Sequence, residues 1–260
     1  MPERDTAPAT PQLGTTGVIV VAAGSGVRLG SQLPKALVQV AGRPLVGWAV
    51  ARSAACPGVC DVVVVAPPTH LDETRSAYAD VSVPGVTVHL VAGGSARCDS
   101  VAAGLAALPE RVQVVLVHDA ARGLTPTEQF VAVDSAVRSG HPAVVPGLPV
   151  VDTVKQVDVD GVVVATPDRA SLRAIQTPQG FRRDVLVRAH ARASSSARSV
   201  TDDAALVERL GLRVLVVPGH PLAHKITTVQ DLHLVEAMVT ASAHDTAVPS
   251  GAEEAHTHVG

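Results

Sequence analysis

A chain of 260 residues, 47% hydrophobic and 17% charged, carries enough apolar material for one large domain with a small excursion. A formal net charge of −3 and a pI of about 6.4 leave no broad basic surface for nucleic acid or a membrane, and no apolar run reaches the roughly 18 residues of a membrane span. Aromatics are 2%, so the core must be built from Val, Ala, Leu and Ile, and lysine occurs only as Lys35, Lys155 and Lys225.

Residues 1–16 have no apolar core behind their charges. They read as a disordered leader, not a signal peptide. Short Val-rich runs then alternate with amphipathic stretches. The first predicted strand, Val18–Ala22, runs into the glycine-rich stretch AAGSGVRLGSQLPK, which ends at Lys35. A helix over Pro44–Ala54, a strand over Asp61–Ala66, a helix over His70–Ala79 and a strand over Val86–Val91 follow. A second glycine turn, AGGSARCDS, opens a helix over Arg97–Ala107. The strand Val112–His118 ends on Asp119, and a helix is expected over Pro126–Ser139 before the strand Ala143–Val145. Further on lie helices over Arg183–Ala193 and Thr201–Leu210, a strand over Arg213–Val217 and a helix over Val229–Thr240. Strands without polar alternation are buried on both faces, which predicts an α/β, Rossmann-like three-layer sandwich on a mostly parallel sheet. Residues 17–240 form that domain, and the small, polar, aperiodic residues 241–260 read as a disordered tail. Ending there, the chain is expected to lack a further downstream domain.

One segment breaks the rhythm. Val150–Arg169 alternates apolar and polar residues around a turn signal at Asp160-Gly161, the pattern of a β-hairpin. A lone hairpin is marginal in water, so a projecting arm covered by a second subunit is expected. The cysteines, Cys56, Cys60 and Cys98, lack the paired spacing of a zinc site and read as thiols of a reducing, cytoplasmic compartment. His220 and His224 lack a third ligand nearby.

A parallel strand ending in a glycine turn offers free N–H groups to phosphate at the carboxyl edge of the sheet. Gly24 and Gly26 permit the turn and the close approach. The third glycine of a dinucleotide fingerprint falls one residue late at Gly30, and Lys35 lacks the hydroxyl residue of a P-loop. A wrapped triphosphate remains, against a plain structural turn. Asp119, an acid at a strand end, and the second glycine turn tilt the balance towards a nucleotide pocket, with Mg²⁺ bound through a carboxylate and phosphate oxygens.

Taken in order, AAGSGVRLGSQLPK, AGGSARCDS, VLVHDAARGLT, PVVDTVKQV, TPDRASLRAIQTPQGF, TDDAALVE and HKITTVQDL resemble the sugar-phosphate nucleotidyltransferases, specifically the 2-C-methyl-D-erythritol 4-phosphate cytidylyltransferase family, over roughly Gly17–Met238. The resemblance implies transfer of the cytidylyl group of CTP to a polyol phosphate with release of pyrophosphate, dependent on Mg²⁺ or another divalent cation, in a homodimer joined by the arm. It implies that Arg28 and Lys35 stabilise the reacting phosphates, that Lys225 orients the incoming phosphate, and that Arg169 reaches the neighbouring subunit's substrate phosphate. Ala22, Ala23, Gly24, Ser25, Gly26, Gly94, Ala96, Ser100, Asp119 and Ala120 would contact the nucleotide. Arg122, Thr153, Thr177 and Thr201 would line the polyol-phosphate site, and Asp119 would hold substrate hydroxyls or the metal. Other readings stay open: Arg122 and Arg169 as surface arginines, Thr201 as a helix cap, His118 as structural. The sequence departs from the family wording at Ser95, Gly123 and Ala223-His224. A ribitol 5-phosphate cytidylyltransferase and a non-catalytic nucleotide-binding protein of the same fold are the alternatives.

Overall fold

Valine dominates the strands, and the alternation along each sends neighbouring residues to opposite faces of one sheet. Val18 and Val20 of the first strand enter one buried cluster and Ile19 enters another. The same split separates Val62 and Val64 from Val63 and Val65, and Leu116 from Val115 and Val117. Each fully buried valine contributes roughly 1.5–3 kcal/mol by leaving water.

A computed structural model describes residues 14–24, 33–193 and 202–245. The expectations for residues 1–13, Ser25, Gly26, Arg28, Thr201 and residues 246–260 lie outside the described residues. In chain order the elements are β1 (Thr16–Val21), β2 (Gln39–Val40), β3 (Arg43–Pro44), α1 (Leu45–Ala54), β4 (Val59–Ala66), α2 (Leu71–Ser76), β5 (Thr87–Ala92), α3 (Arg97–Ala107), β6 (Val114–Asp119), α4 (Thr127–Arg138) and β7 (Ala143–Pro149). They continue with β8 (Gln156–Val157), β9 (Val163–Ala165), β10 (Arg173–Ile175), β11 (Gln179–Arg182), α5 (Arg183–Ala191), α6 (Ala204–Glu208), β12 (Val214–Pro218) and α7 (Val229–Asp245).

β1 lies between β4 and β6, both parallel to it, and β5 follows β4 at one edge. The chain therefore leaves β1 towards one side and returns to its other side for β6. That reversal opens a crevice at the carboxyl ends of these strands, where open α/β sheets bind ligands. One face of the sheet is covered by α1 and α4, whose Val46, Val50, Phe130 and Val133 pack on Val18 and Val20. The other is covered by α3, α5 and α6 through Val101, Leu105, Leu186 and Val207. The architecture is the expected three-layer, mostly parallel α/β sandwich.

Two strands of the main sheet were absent from the sequence reading, as was the small β2–β3 pair. β11 runs antiparallel between β6 and β7, and β10 pairs antiparallel with β7 further along. β12 pairs parallel with β7. The first helical turn predicted for α6 is also absent. Asp202 accepts from Ala205 N at 3.1 Å, so the helix starts after Asp203.

The Val150–Arg169 segment carries a short antiparallel ladder between β8 and β9. Its turn is wider than a two-residue loop. Asp158 N donates to Val162 O at 3.0 Å, Gly161 N to Asp158 O at 3.2 Å, and Gly161 has a φ of 81°. This is a type I turn closed by a left-handed glycine, a three-residue hairpin loop. The arm exposes Val151, Val157, Val159 and Val162–Val164 on this chain.

Candidate active site

Three loops at the carboxyl edge of the sheet and the segment before α7 enclose a cleft of about 400 Å³. The loop after β1 contributes Ala22, Ala23 and Gly24. Ala22 N is tied to Val65 O at 2.8 Å, which fixes the exit of that strand. Lys35 enters from a single 3₁₀ turn, Lys35–Leu37, anchored by the burial of Ala36 and Leu37.

The loop after β5 supplies Gly94, Ser95, Ala96, Arg97 and Ser100. Its shape is set locally. Asp99 accepts from Ala96 N at 3.1 Å and from Ser95 Oγ at 3.0 Å, while Ser100 Oγ accepts from Gly94 N at 3.2 Å. A side chain at Gly94 would bring its Cβ within 2.3 Å of Asp99 Cβ, and one at Gly93 within 2.8 Å of Ala23 Cβ. The two glycine loops approach each other too closely for anything but glycine.

The loop after β6 supplies Asp119, Ala120 and Ala121. Asp119 is 8% exposed. Its Oδ1 accepts from Arg97 Nε and Nη2 at 3.3 Å, and its Oδ2 from Lys225 Nζ at 2.7 Å. Arg97 also donates through Nη1 to Asp203 Oδ2 at 2.6 Å, and His190 Nε2 lies 3.0 Å from Asp203 Oδ1. Asp203 is 1% exposed. Two carboxylates and two cations thus balance each other in a confined site, the condition under which buried charges persist. Burial alone would raise the pKa of Asp119, but the charges of Arg97 and Lys225 outweigh it and hold the carboxyl well below the usual range. Asp203 is lowered in the same way, against its burial, by His190 and Arg97.

Behind Asp119 the packing is polar and fully enclosed. Thr177 Oγ1 accepts from Asp119 N at 3.1 Å and lies 3.0 Å from His118 Nδ1, and Gln129 Nε2 donates to Thr177 O at 3.0 Å. Burial pushes the His118 pKa down to about 4, so the ring is neutral at pH 7. Arg122 turns away from the solvent. It donates to Ala223 O at 2.8 Å and to Ile175 O at 3.2 Å, and burial lowers its pKa.

The cleft therefore gathers Ala22, Ala23, Gly24, Lys35, Gly94, Ala96, Ser100, Asp119, Ala120 and Lys225. Arg122 and Thr177 stand in the scaffold beneath it. Thr153 and Arg169 lie exposed on the arm, where Arg169 donates to Val151 O. Arg97 is the cleft residue that sequence reasoning passed over. Its signal was present, an arginine in the first turn of a helix beside a glycine loop, but its partner Asp203 lies 106 positions away.

Similar proteins share this arrangement of elements. The family model for 2-C-methyl-D-erythritol 4-phosphate cytidylyltransferase matches residues 16–241. The enzyme of that name from Streptomyces avermitilis is 51% identical over 237 residues, which cover 88% of this chain and 94% of that protein. The crystal structure of 2-C-methyl-D-erythritol 4-phosphate cytidylyltransferase from Thermus thermophilus superposes with a TM-score of 0.68 at 35% identity, covering 87% of this chain and 99% of that one. The 4-diphosphocytidyl-2C-methyl-D-erythritol synthase from Anaerococcus prevotii gives a TM-score of 0.76 at 28% identity over the same 87% and 99%.

Proposed function

The chain belongs to the 2-C-methyl-D-erythritol 4-phosphate cytidylyltransferase family, and from that premise we infer how its cleft performs the reaction. The protein is a nucleotidyltransferase. It transfers the cytidylyl group of CTP to 2-C-methyl-D-erythritol 4-phosphate, giving 4-diphosphocytidyl-2-C-methyl-D-erythritol and pyrophosphate.

The observation that carries the residue assignment is Asp119 held between Arg97 and Lys225 at the mouth of two glycine loops. A phosphate oxygen of the polyol substrate attacks the α-phosphorus of CTP in line, and both reactants are anionic. The protein's task is to hold them in register and to offset repulsion with fixed cations. Lys35 faces the triphosphate, with Arg28 on the same loop as its counterpart. Lys225 leaves Asp119 for the incoming phosphate. Arg97 stays on Asp119, so the carboxylate is never left without a counter-charge. Backbone groups of Gly94 and Ala96 and the Ser100 hydroxyl read the base and ribose, because so few aromatic rings are available for stacking.

A divalent cation fits this donor set only when shared. Among the described residues no cluster of three or more His, Cys, Asp or Glu could hold a metal ion. Asp119 is the carboxylate in the cleft lining, and Mg²⁺ binds well through one carboxylate with phosphate oxygens completing its shell. When bound, it would neutralise charge on the triphosphate and its leaving pyrophosphate.

We further propose a homodimer through the arm, in which Thr153 and Arg169 complete the partner's polyol-phosphate site. The exposed valines support it: Val159 is 100% exposed and Val151 76% on this chain, and a hairpin of this size is marginal without cover. A cytoplasmic setting suits three cysteines that stand as thiols, and among the described residues no helix is long and apolar enough to cross a membrane.

The test is substrate turnover. Pyrophosphate release from CTP with 2-C-methyl-D-erythritol 4-phosphate is expected, with far less from ribitol 5-phosphate. Release with ribitol 5-phosphate alone would overturn the substrate assignment, and CTP binding without turnover of either would overturn catalysis.

A further inference from the structure

We infer that His224 and Asp231 are positioning residues for Lys225, holding the segment that presents its ammonium to the cleft. The inference rests on the reading of Lys225 as a phosphate-binding cation.

The main chain between β12 and α7 is pinned on both sides of Lys225. Arg122 Nη1 donates to Ala223 O at 2.8 Å, and Ile226 N donates to Ala121 O at 2.9 Å. These bonds fix the path and the facing of the backbone at Ala223 and Ile226, and leave the side chains of His224 and Lys225 between them to be set by their own contacts. His224 is extended, with φ −61° and ψ 137°. That is polyproline II geometry, with three residues per turn, so the two neighbouring side chains leave the chain in well-separated directions. Holding the His224 ring against α7 therefore keeps the backbone between the two pins from twisting, and with it the base of the Lys225 side chain.

That ring is anchored. His224 Nε2 lies 3.0 Å from Asp231 Oδ1 in α7. Asp231 is itself immobilised, because its Oδ2 accepts from Thr227 N and Thr227 Oγ1 at 2.7 Å and from Thr228 N at 2.8 Å. Thr228 Oγ1 accepts from Asp231 N at 3.1 Å and closes a reciprocal capping box at the start of the helix. Burial would raise the Asp231 pKa, but the bonds from His224, Thr227 and Thr228 hold it well below the usual range. An ionised carboxylate only accepts, so His224 donates the shared proton from Nε2. With His224 turned to α7, Lys225 is turned to Asp119, 2.7 Å away. Neither His224 nor Asp231 lines the cleft, so both act through Lys225.

The experiment measures kcat, KM and the melting temperature of the full chain for His224→Ala, His224→Gln, Lys225→Ala and the His224→Ala/Lys225→Ala double variant. Expected is a kcat reduced by about tenfold in His224→Ala, with the KM for CTP within about twofold, since misplacement of a positioned group costs rate. Glutamine carries an amide N–H to the same region and should restore most of the loss. In the Lys225→Ala background, His224→Ala should change nothing further, because residues that act through one group are not additive. Wild-type kcat in His224→Ala, no recovery with glutamine, or the same fold-loss in both backgrounds overturns the inference. Wild-type turnover in Lys225→Ala overturns the reading of Lys225 itself, and the positioning role with it.

Discussion

Lys225 Nζ and Asp119 Oδ2 lie 2.7 Å apart, joining residues separated by 106 positions across the mouth of the cleft. On the proposed reading, this contact is where Lys225 rests before it meets the incoming phosphate. Asp119 is shared, with Arg97 on one oxygen and Lys225 on the other, so one partner can leave while the other remains.

The cations of the cleft should act on rate more than on binding. Lys225→Ala and Lys35→Ala are each expected to lower kcat by roughly 10²-fold or more, the usual scale for losing one preorganised electrostatic contact. Steady-state pyrophosphate release checks this, and near-normal kcat removes that residue from the mechanism.

Arg97 should be costly to remove for stability as well as for turnover. Arg97→Met leaves Asp203 charged in a site where it is 1% exposed, and breaking one side of a buried pair costs about 3–5 kcal/mol. Arg97→Lys should rescue little, because the guanidinium spans two carboxylates with separate nitrogens. Urea unfolding of the three proteins measures the difference, and a loss below about 1 kcal/mol in Arg97→Met contradicts the account.

Stability should fall as pH drops below about 6.5. His118 is held neutral, its pKa lowered by burial from 6.5 to about 4. Between those values the unfolded chain takes up a proton that the folded chain refuses. The folded state therefore loses stability as pH falls through this window, up to about 3 kcal/mol, and has its full value above it. The lowered carboxyl groups of Asp119 and Asp203 have the same sign at lower pH. Their contribution is present above the usual carboxylate pKa and lost as pH falls towards their folded values. Unfolding midpoints from pH 7 to pH 4.5 should slope less in His118→Asn than in the wild type.

The arm should separate the two substrates. Arg169→Ala is expected to raise the KM for the polyol phosphate far more than that for CTP. Mixing Arg169→Ala with Lys35→Ala should restore activity once heterodimers form, since each partner then supplies what the other lacks. Co-purification of differently tagged variants confirms mixing, and silence of mixed dimers contradicts a shared site.

The parallel half of the sheet was legible because its strands are runs of valine buried on both faces, as in β4, where Val62–Val65 are all 0% exposed. β11 was hidden for the opposite reason. Its four residues, Gln-Gly-Phe-Arg, neither alternate nor form an apolar run, and Gln179 is turned to Asp202 at 2.7 Å. The glycine loops, Lys35, Asp119 and Lys225 could be read from motif and position. The Arg97–Asp203 pair could not, because the sequence around Asp203 suggests only a helix start. In the fold the capping falls to Asp202, which leaves Asp203 for Arg97 and His190.

The place of β11 between β6 and β7 also sets an order of events during synthesis. β1, β4, β5 and β6 can assemble as soon as Asp119 has emerged, but the open flank of β6 has no neighbour until Gln179–Arg182 is made. At ordinary translation rates that leaves a bare, valine-rich edge waiting for roughly 3–12 seconds. During that interval it is a template for pairing with other nascent chains. The yield of folded protein in a cell should therefore depend on translation speed between α4 and β11 and on chaperone supply.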